Sequence, residues 1–107
     1  MKKIIALAAL MCGTAHADFL LGNDLFSRLQ SDKVVERAVG LGYVMGVFDV
    51  GQNITHCAPA NVTSGQIKDM VQQHLDSVPA ARHMAAESHV SYILGKTWPC
   101  AKKGTSL

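Results

Sequence analysis

Thr63-Ser64-Gly65-Gln66-Ile67-Lys68-Asp69-Met70-Val71-Gln72-Gln73-His74-Leu75-Asp76-Ser77-Val78-Pro79 is the most legible stretch of the chain. It opens on T-x-x-Q, the capping-box pattern in which the threonine hydroxyl and the glutamine side chain satisfy each other's backbone N–H groups. Ile67, Met70, Val71, His74, Leu75 and Val78 then recur at helical spacing and form one apolar stripe. Pro79 cannot continue the helix but suits the first turn of another. The spacing therefore predicts a helix that starts just after Thr63 and stops at Pro79.

Working outward, a following helix is expected from Pro79 to Lys96, with His83, Ala86, Val90, Ile93 and Thr97 along one face and Leu94 beside it. Gly95 and Pro99 mark its end. Two helices of similar length joined by a short break should pack as an antiparallel hairpin. Upstream, a helix is expected from about Lys33 to Asp49, capped by Ser31 or Asp32, with Val35, Val39, Tyr43, Gly46 and Val47 facing inward. Gly51-Gln52-Asn53 ends it, and Ile54 to Val62 reads as a loop. A short first helix from Asn23, as N-cap, to Gln30 would bury Leu25, Phe26 and Leu29. No useful alternating strand pattern occurs. The fold class expected is all-α, a small bundle of about four helices.

The chain has 107 residues, room for one domain. It is 49% hydrophobic and 17% charged, which excludes a disordered acidic or basic tail. Residues 1–17 read as a bacterial-type secretory signal. Lys2 and Lys3 precede an apolar run from Ile4 to Met11, and Ala15-His16-Ala17 is a small-x-small cleavage site. The run is about half the ~20 residues that span a bilayer, which argues against an anchor. Met11 is a poor neighbour for a lipidated Cys12. Residues 18–107 would form the single helical domain, with a loose tail from Ala101. Cleavage after Ala17 leaves eight of the ten basic residues against eight acidic ones. A neutral protein has no strong pull on nucleic acid or anionic lipid, so neither nucleic-acid binding nor membrane insertion is expected. The destination would be the periplasm.

Export removes Cys12 and leaves Cys57 and Cys100 in an oxidising compartment, where an even pair is expected to bond. The helical hairpin supports this separately. Cys57 precedes its first helix and Cys100 follows its second, so both fall at the same end. Two free buried thiols are the alternative. Closing a loop of ~44 residues contributes up to roughly 4 kcal/mol by chain entropy.

Little else points to chemistry. There is no G-x-S-x-G, no H-x-x-x-H and no C-x-x-C, so neither an enzyme nor a metal or cofactor site is expected. His56, His74, His83 and His89 read as half-buried polar residues. Asn53-Ile54-Thr55 and Asn61-Val62-Thr63 match the glycosylation pattern by chance. Gly40, Gly42 and Gly46 inside one helix each cost roughly 0.5–1 kcal/mol against alanine. Close helix contact would offset that cost; a groove or a flat dimer face is the other reading. The loop holding Gln52, Asn53, Ile54, Thr55 and His56 is pinned at Cys57, and a pre-organised loop binds at lower entropic cost. A passive linker that merely places Cys57 is the plainer reading of the same residues.

Gly42-Tyr43-Val44-Met45-Gly46-Val47, then Cys57-Ala58-Pro59, Val62-Thr63 with Gln66, Val71 to Leu75, Pro79, His83 and Trp98-Pro99-Cys100 form an ordered series. From about Asn23 to Cys100 it resembles the periplasmic immunity proteins of type VI secretion amidase effectors, the Rap/Tai-type family. The resemblance implies a small, exported helical protein that binds a peptidoglycan-cleaving amidase and occludes its active site. It also implies a homodimer, since such proteins are often dimeric, and it matches Cys57 and Cys100 to the family's bridging pair. Family members commonly carry a second cysteine pair; Gly40 and Leu29 or a neighbour stand there instead, which suggests a divergent member. Partner contact is expected at Gln52 to His56, with Ile54 as apolar anchor and Gln52 and Asn53 supplying hydrogen bonds. The competing readings are a small periplasmic chaperone or stress protein, which would expose apolar surface in acid, and an accessory component of an envelope complex.

Overall fold

The capping box sets the register of the bundle. In a computed structural model describing residues 19–101, the Thr63 hydroxyl accepts from the Gln66 N–H at 3.1 Å and Gln66 Oε1 accepts from the Thr63 N–H at 2.9 Å. The helix that follows, Ser64–Ser77, turns Ile67, Val71 and Leu75 into the core. Four α-helices lie within the described residues: α1 Gly22–Leu29, α2 Val34–Gly51, α3 Ser64–Ser77 and α4 Ala86–Thr97. The core joins Leu25 and Leu29 of α1, Val44 of α2, the three α3 residues and Ala86, Val90 and Leu94 of α4. The all-α expectation is met. The leader read over residues 1–17 and the tail from residue 102 lie outside the described residues.

Three expectations, on helix bounds, caps and facing, need correction. The last helix does not run from Pro79. Pro79–Ala81 form a single 3-10 turn, and α4 begins only at Ala86. The connector, residues 78–85, instead holds residues 20–23 at the entry to α1. The Gly22 and Asn23 N–H groups donate to the Met84 and Arg82 carbonyls at 2.8 and 2.7 Å, and the Ala86 N–H donates to the Leu20 carbonyl at 2.8 Å. These bonds consume backbone groups that a continuous helix would have used internally. His83 is consequently exposed outside any helix, and Thr97 is exposed at the end of α4. The same bonds explain the start of α1. Its first-turn donors are satisfied by the connector, so Asn23 is not its cap; the Leu21 N–H instead donates to Asp24 Oδ2 at 3.1 Å. Before α2, Ser31 Oγ accepts from the Lys33 N–H at 3.1 Å, but the capping position is Lys33 itself.

The third correction concerns the facing of α2. Gly40, Val44 and Gly51 point inward, while Val35 and Val39 are exposed. This helix is apolar nearly all round, so its periodicity could not select a face. The close approach of α1 selects it: a methyl on Gly40 would lie 3.1 Å from Leu29 Cδ2.

Helices α3 and α4 pack antiparallel, with His74 meeting His89 along the seam. The Cys57–Cys100 disulfide closes their open end, with Cα atoms 4.9 Å apart across 43 positions. Beside it the Cys57 N–H donates to the Trp98 carbonyl at 2.8 Å. No helix among the described residues is long and apolar enough to cross a membrane.

Candidate functional site: a pinned loop beside an apolar groove

At the end of α2 the Gly51 carbonyl accepts from the N–H groups of Ile54 and Thr55, both at 2.9 Å, which curls residues 51–56 into a tight turn. Asn53 takes the left-handed backbone at φ 68°, a conformation asparagine tolerates better than most residues, and its N–H donates to the His56 carbonyl at 2.7 Å. Gly51 is required for a different reason. A methyl there would meet Thr55 Oγ1 at 2.5 Å and His56 Cε1 at 2.9 Å.

The five residues expected at the contact divide into two groups. Gln52 holds the loop internally, donating through Nε2 to the Ala58 carbonyl at 2.9 Å and accepting from the Ala58 N–H at 3.2 Å. His56 is only 1% exposed and packs against the Phe48 ring, centroids 4.8 Å apart. Burial pushes its imidazole below the usual range, so the ring is held neutral. Asn53, Ile54 and Thr55 are exposed, Ile54 to 75%, while the Thr55 hydroxyl turns back to donate to the Gly51 carbonyl at 3.4 Å. The turn thus presents one large apolar side chain between two short polar ones, from a base fastened by Gln52, His56 and the disulfide.

The loop does not stand alone. Ile54 and Thr55 form one end of an open groove of about 590 Å³ whose floor is Gly42, Tyr43, Gly46, Val47 and Val50. Close helix packing accounts for Gly40 but not for its two neighbours, since a methyl on Gly42 or Gly46 would touch nothing within 4 Å. The groove reading fits those two, whose missing side chains deepen the floor. Glu87 and Ser91 of α4 complete the rim, Ser91 Oγ donating to Glu87 Oε1 at 2.8 Å. Burial first, then the nearby Glu87 charge, raises the Tyr43 phenol, which therefore stays protonated. Val34, Val35 and Val50 extend the apolar surface along α2, each at least 70% exposed.

Sequence reasoning missed Val50, Glu87 and Ser91. The glycine pair spaced by four was a signal for the floor, but nothing in the order of residues placed the start of α4 opposite it. Among the described residues, no group of three His, Cys, Asp or Glu side chains comes together to hold a metal ion. An open, apolar groove thus lies beside a stiffened tip.

None of the curated proteins matches the chain. A family model described as the Rap1a immunity proteins matches residues 10–100, which is most of the sequence and includes the helices, the loop and both bonded cysteines. The chain therefore belongs to the Rap1a immunity protein family and is an immunity-type protein directed against a secreted effector.

Proposed function

We propose that the effector is a peptidoglycan-cleaving amidase, and that the protein inhibits it by inserting the Asn53–Thr55 tip into its active-site cleft. The observation that carries the reading is the pinned tip itself: Ile54 projects from a turn whose base is fastened by Gln52, His56 and the Cys57–Cys100 bond. An exposed apolar anchor ringed by short polar residues has the composition of an interface hot spot. Restraint before binding lowers the entropy lost on binding. Gly42, Gly46 and Val50 would receive a flanking apolar segment of the effector, with Glu87 at the rim available to one of its basic groups. The protein acts by binding and not by catalysis. The residue 1–17 leader, cut after Ala17, would deliver it to the periplasm, where a cell-wall hydrolase acts.

The test uses purified peptidoglycan amidase effectors and their cleavage of peptidoglycan cross-link peptides. Stoichiometric protein abolishes cleavage, and Ile54→Arg weakens inhibition by a hundredfold or more, equivalent to about 3 kcal/mol. Inhibition by Ile54→Arg equal to that of the wild type removes the tip from the mechanism. A second reading, that two copies meet across α2, rests on exposed Val34, Val35 and Val39. Sedimentation of wild type against Val35→Glu tests it: a dimer converted to monomer supports it, and a wild-type monomer ends it.

A further inference from the structure

Away from the groove, on the opposite seam of α4, two imidazoles face each other. His74 Nε2 of α3 lies 3.1 Å from His89 Nδ1 of α4, and His89 Nε2 lies 2.8 Å from the Ala81 carbonyl in the connector. The carbonyl can only accept, so His89 Nε2 carries a proton. In the neutral pair His89 Nδ1 is then the acceptor and His74 Nε2–H donates to it. This relay joins α3, α4 and the connector. His89 is 7% exposed and also buttresses the start of α1, since a methyl on Gly22 would come within 2.9 Å of its Cδ2.

We propose that the His74–His89 pair is an acid-sensitive latch, which holds one added proton with its bond intact and is driven open by a second, freeing the connector and the start of α1. One added proton leaves an N–H on one ring and a lone pair on the other, whichever ring is charged. A second gives both rings N–H groups pointed at each other, and the bond becomes a repulsion.

The surroundings offer the second charge no help. From α4 the pair is faced by Tyr92, whose ring centroid is 5.4 Å from that of His74, and by Lys96, whose ammonium is 5.7 Å from the Tyr92 ring. The connector contributes Arg82, with its guanidinium turned over the Phe26 ring at 4.5 Å. From α1, uncharged Gly22 lies against His89. The two surface cavities lined by His74 contain no carboxylate. Burial, the neighbouring His89 and Lys96 all act to lower the pKa of His74.

Amide hydrogen exchange on the folded protein tests the latch. The reporters are Gly22, Asn23 and Ala86, whose N–H groups tie residues 20–23 to the connector and the start of α4. The control is Cys57, bonded to Trp98 at the far end. After correction for intrinsic exchange, protection of the reporters is expected to fall by about tenfold per pH unit once opening takes up one further proton. Protection at Cys57 is expected to hold. His74→Gln keeps a donor for His89 Nδ1 without a titratable ring, and should keep the reporters protected in acid. Equal acid loss in this variant and the wild type overturns the latch, as does a wild type that loses no protection. Nitrogen NMR of the wild-type imidazoles supplies a reading that needs no variant. At neutral pH His89 should carry its proton on Nε2, and an Nδ1–H tautomer there overturns the relay.

Discussion

Among single residues, the glycines divide by what surrounds them. A methyl on Gly22 would sit 2.6 Å from the Arg82 carbonyl oxygen, a backbone atom that cannot rotate aside. Gly22→Ala should therefore destabilise the fold by about 1–3 kcal/mol, seen as a lower urea midpoint. Gly46→Ala should do the reverse. Its position is open, so the gain is the helix propensity of alanine, roughly 0.5–1 kcal/mol. The same substitution shallows the groove and should weaken effector binding, and that opposition separates a functional glycine from a structural one. His56 and His74 make a prediction about pH. Both have imidazole pKa values lowered by burial, so below about pH 6.5 the unfolded chain takes up protons that the folded one refuses. Stability should be level above pH 7 and fall as the pH drops below about 6.5. Urea melts at pH 7.5 and 5.5 measure the fall, and His56→Gln should reduce it.

Among elements, α3 was readable because its cap, stripe and stop agree in one short stretch. Its capping box gives a direct prediction: Thr63→Ala should cost about 1 kcal/mol in a thermal or urea melt. The helix after it was misread because a proline is equally compatible with a first helical turn and with an isolated 3-10 turn. What separates the two here is hydrogen bonding from Gly22 and Asn23, some sixty positions away in the chain. No local pattern reports such a bond. The facing of α2 was hidden for a related reason. A helix apolar on every side has no preferred inward stripe, and its exposed valines became a surface only once α1 had covered Gly40. The loop was legible in its one exposed apolar residue, Ile54. The inward engagement of Gln52 and His56 depends on Ala58 and Phe48, and the pattern of residue types does not encode those contacts.

For the whole molecule, a domain this small has few long-range ties, and the Cys57–Cys100 bond is the covalent one. Replacing both cysteines with serine should lower stability by up to about 4 kcal/mol. Because the bond also anchors the loop, it should weaken inhibition beyond what the unfolded fraction explains. The proposed contact face draws on three separate parts of the chain, with the α2 glycines, the tip after Gly51 and Glu87 of α4 meeting only in the folded bundle. The most direct measurement is a hydrogen-exchange footprint of the protein with the proposed amidase effector, set beside the residual amidase activity. The account predicts full inhibition, with protection gained over residues 42–55 and little change at the exposed face of α3. Full inhibition with protection confined to α3 and the connector, and none at the tip, would contradict it.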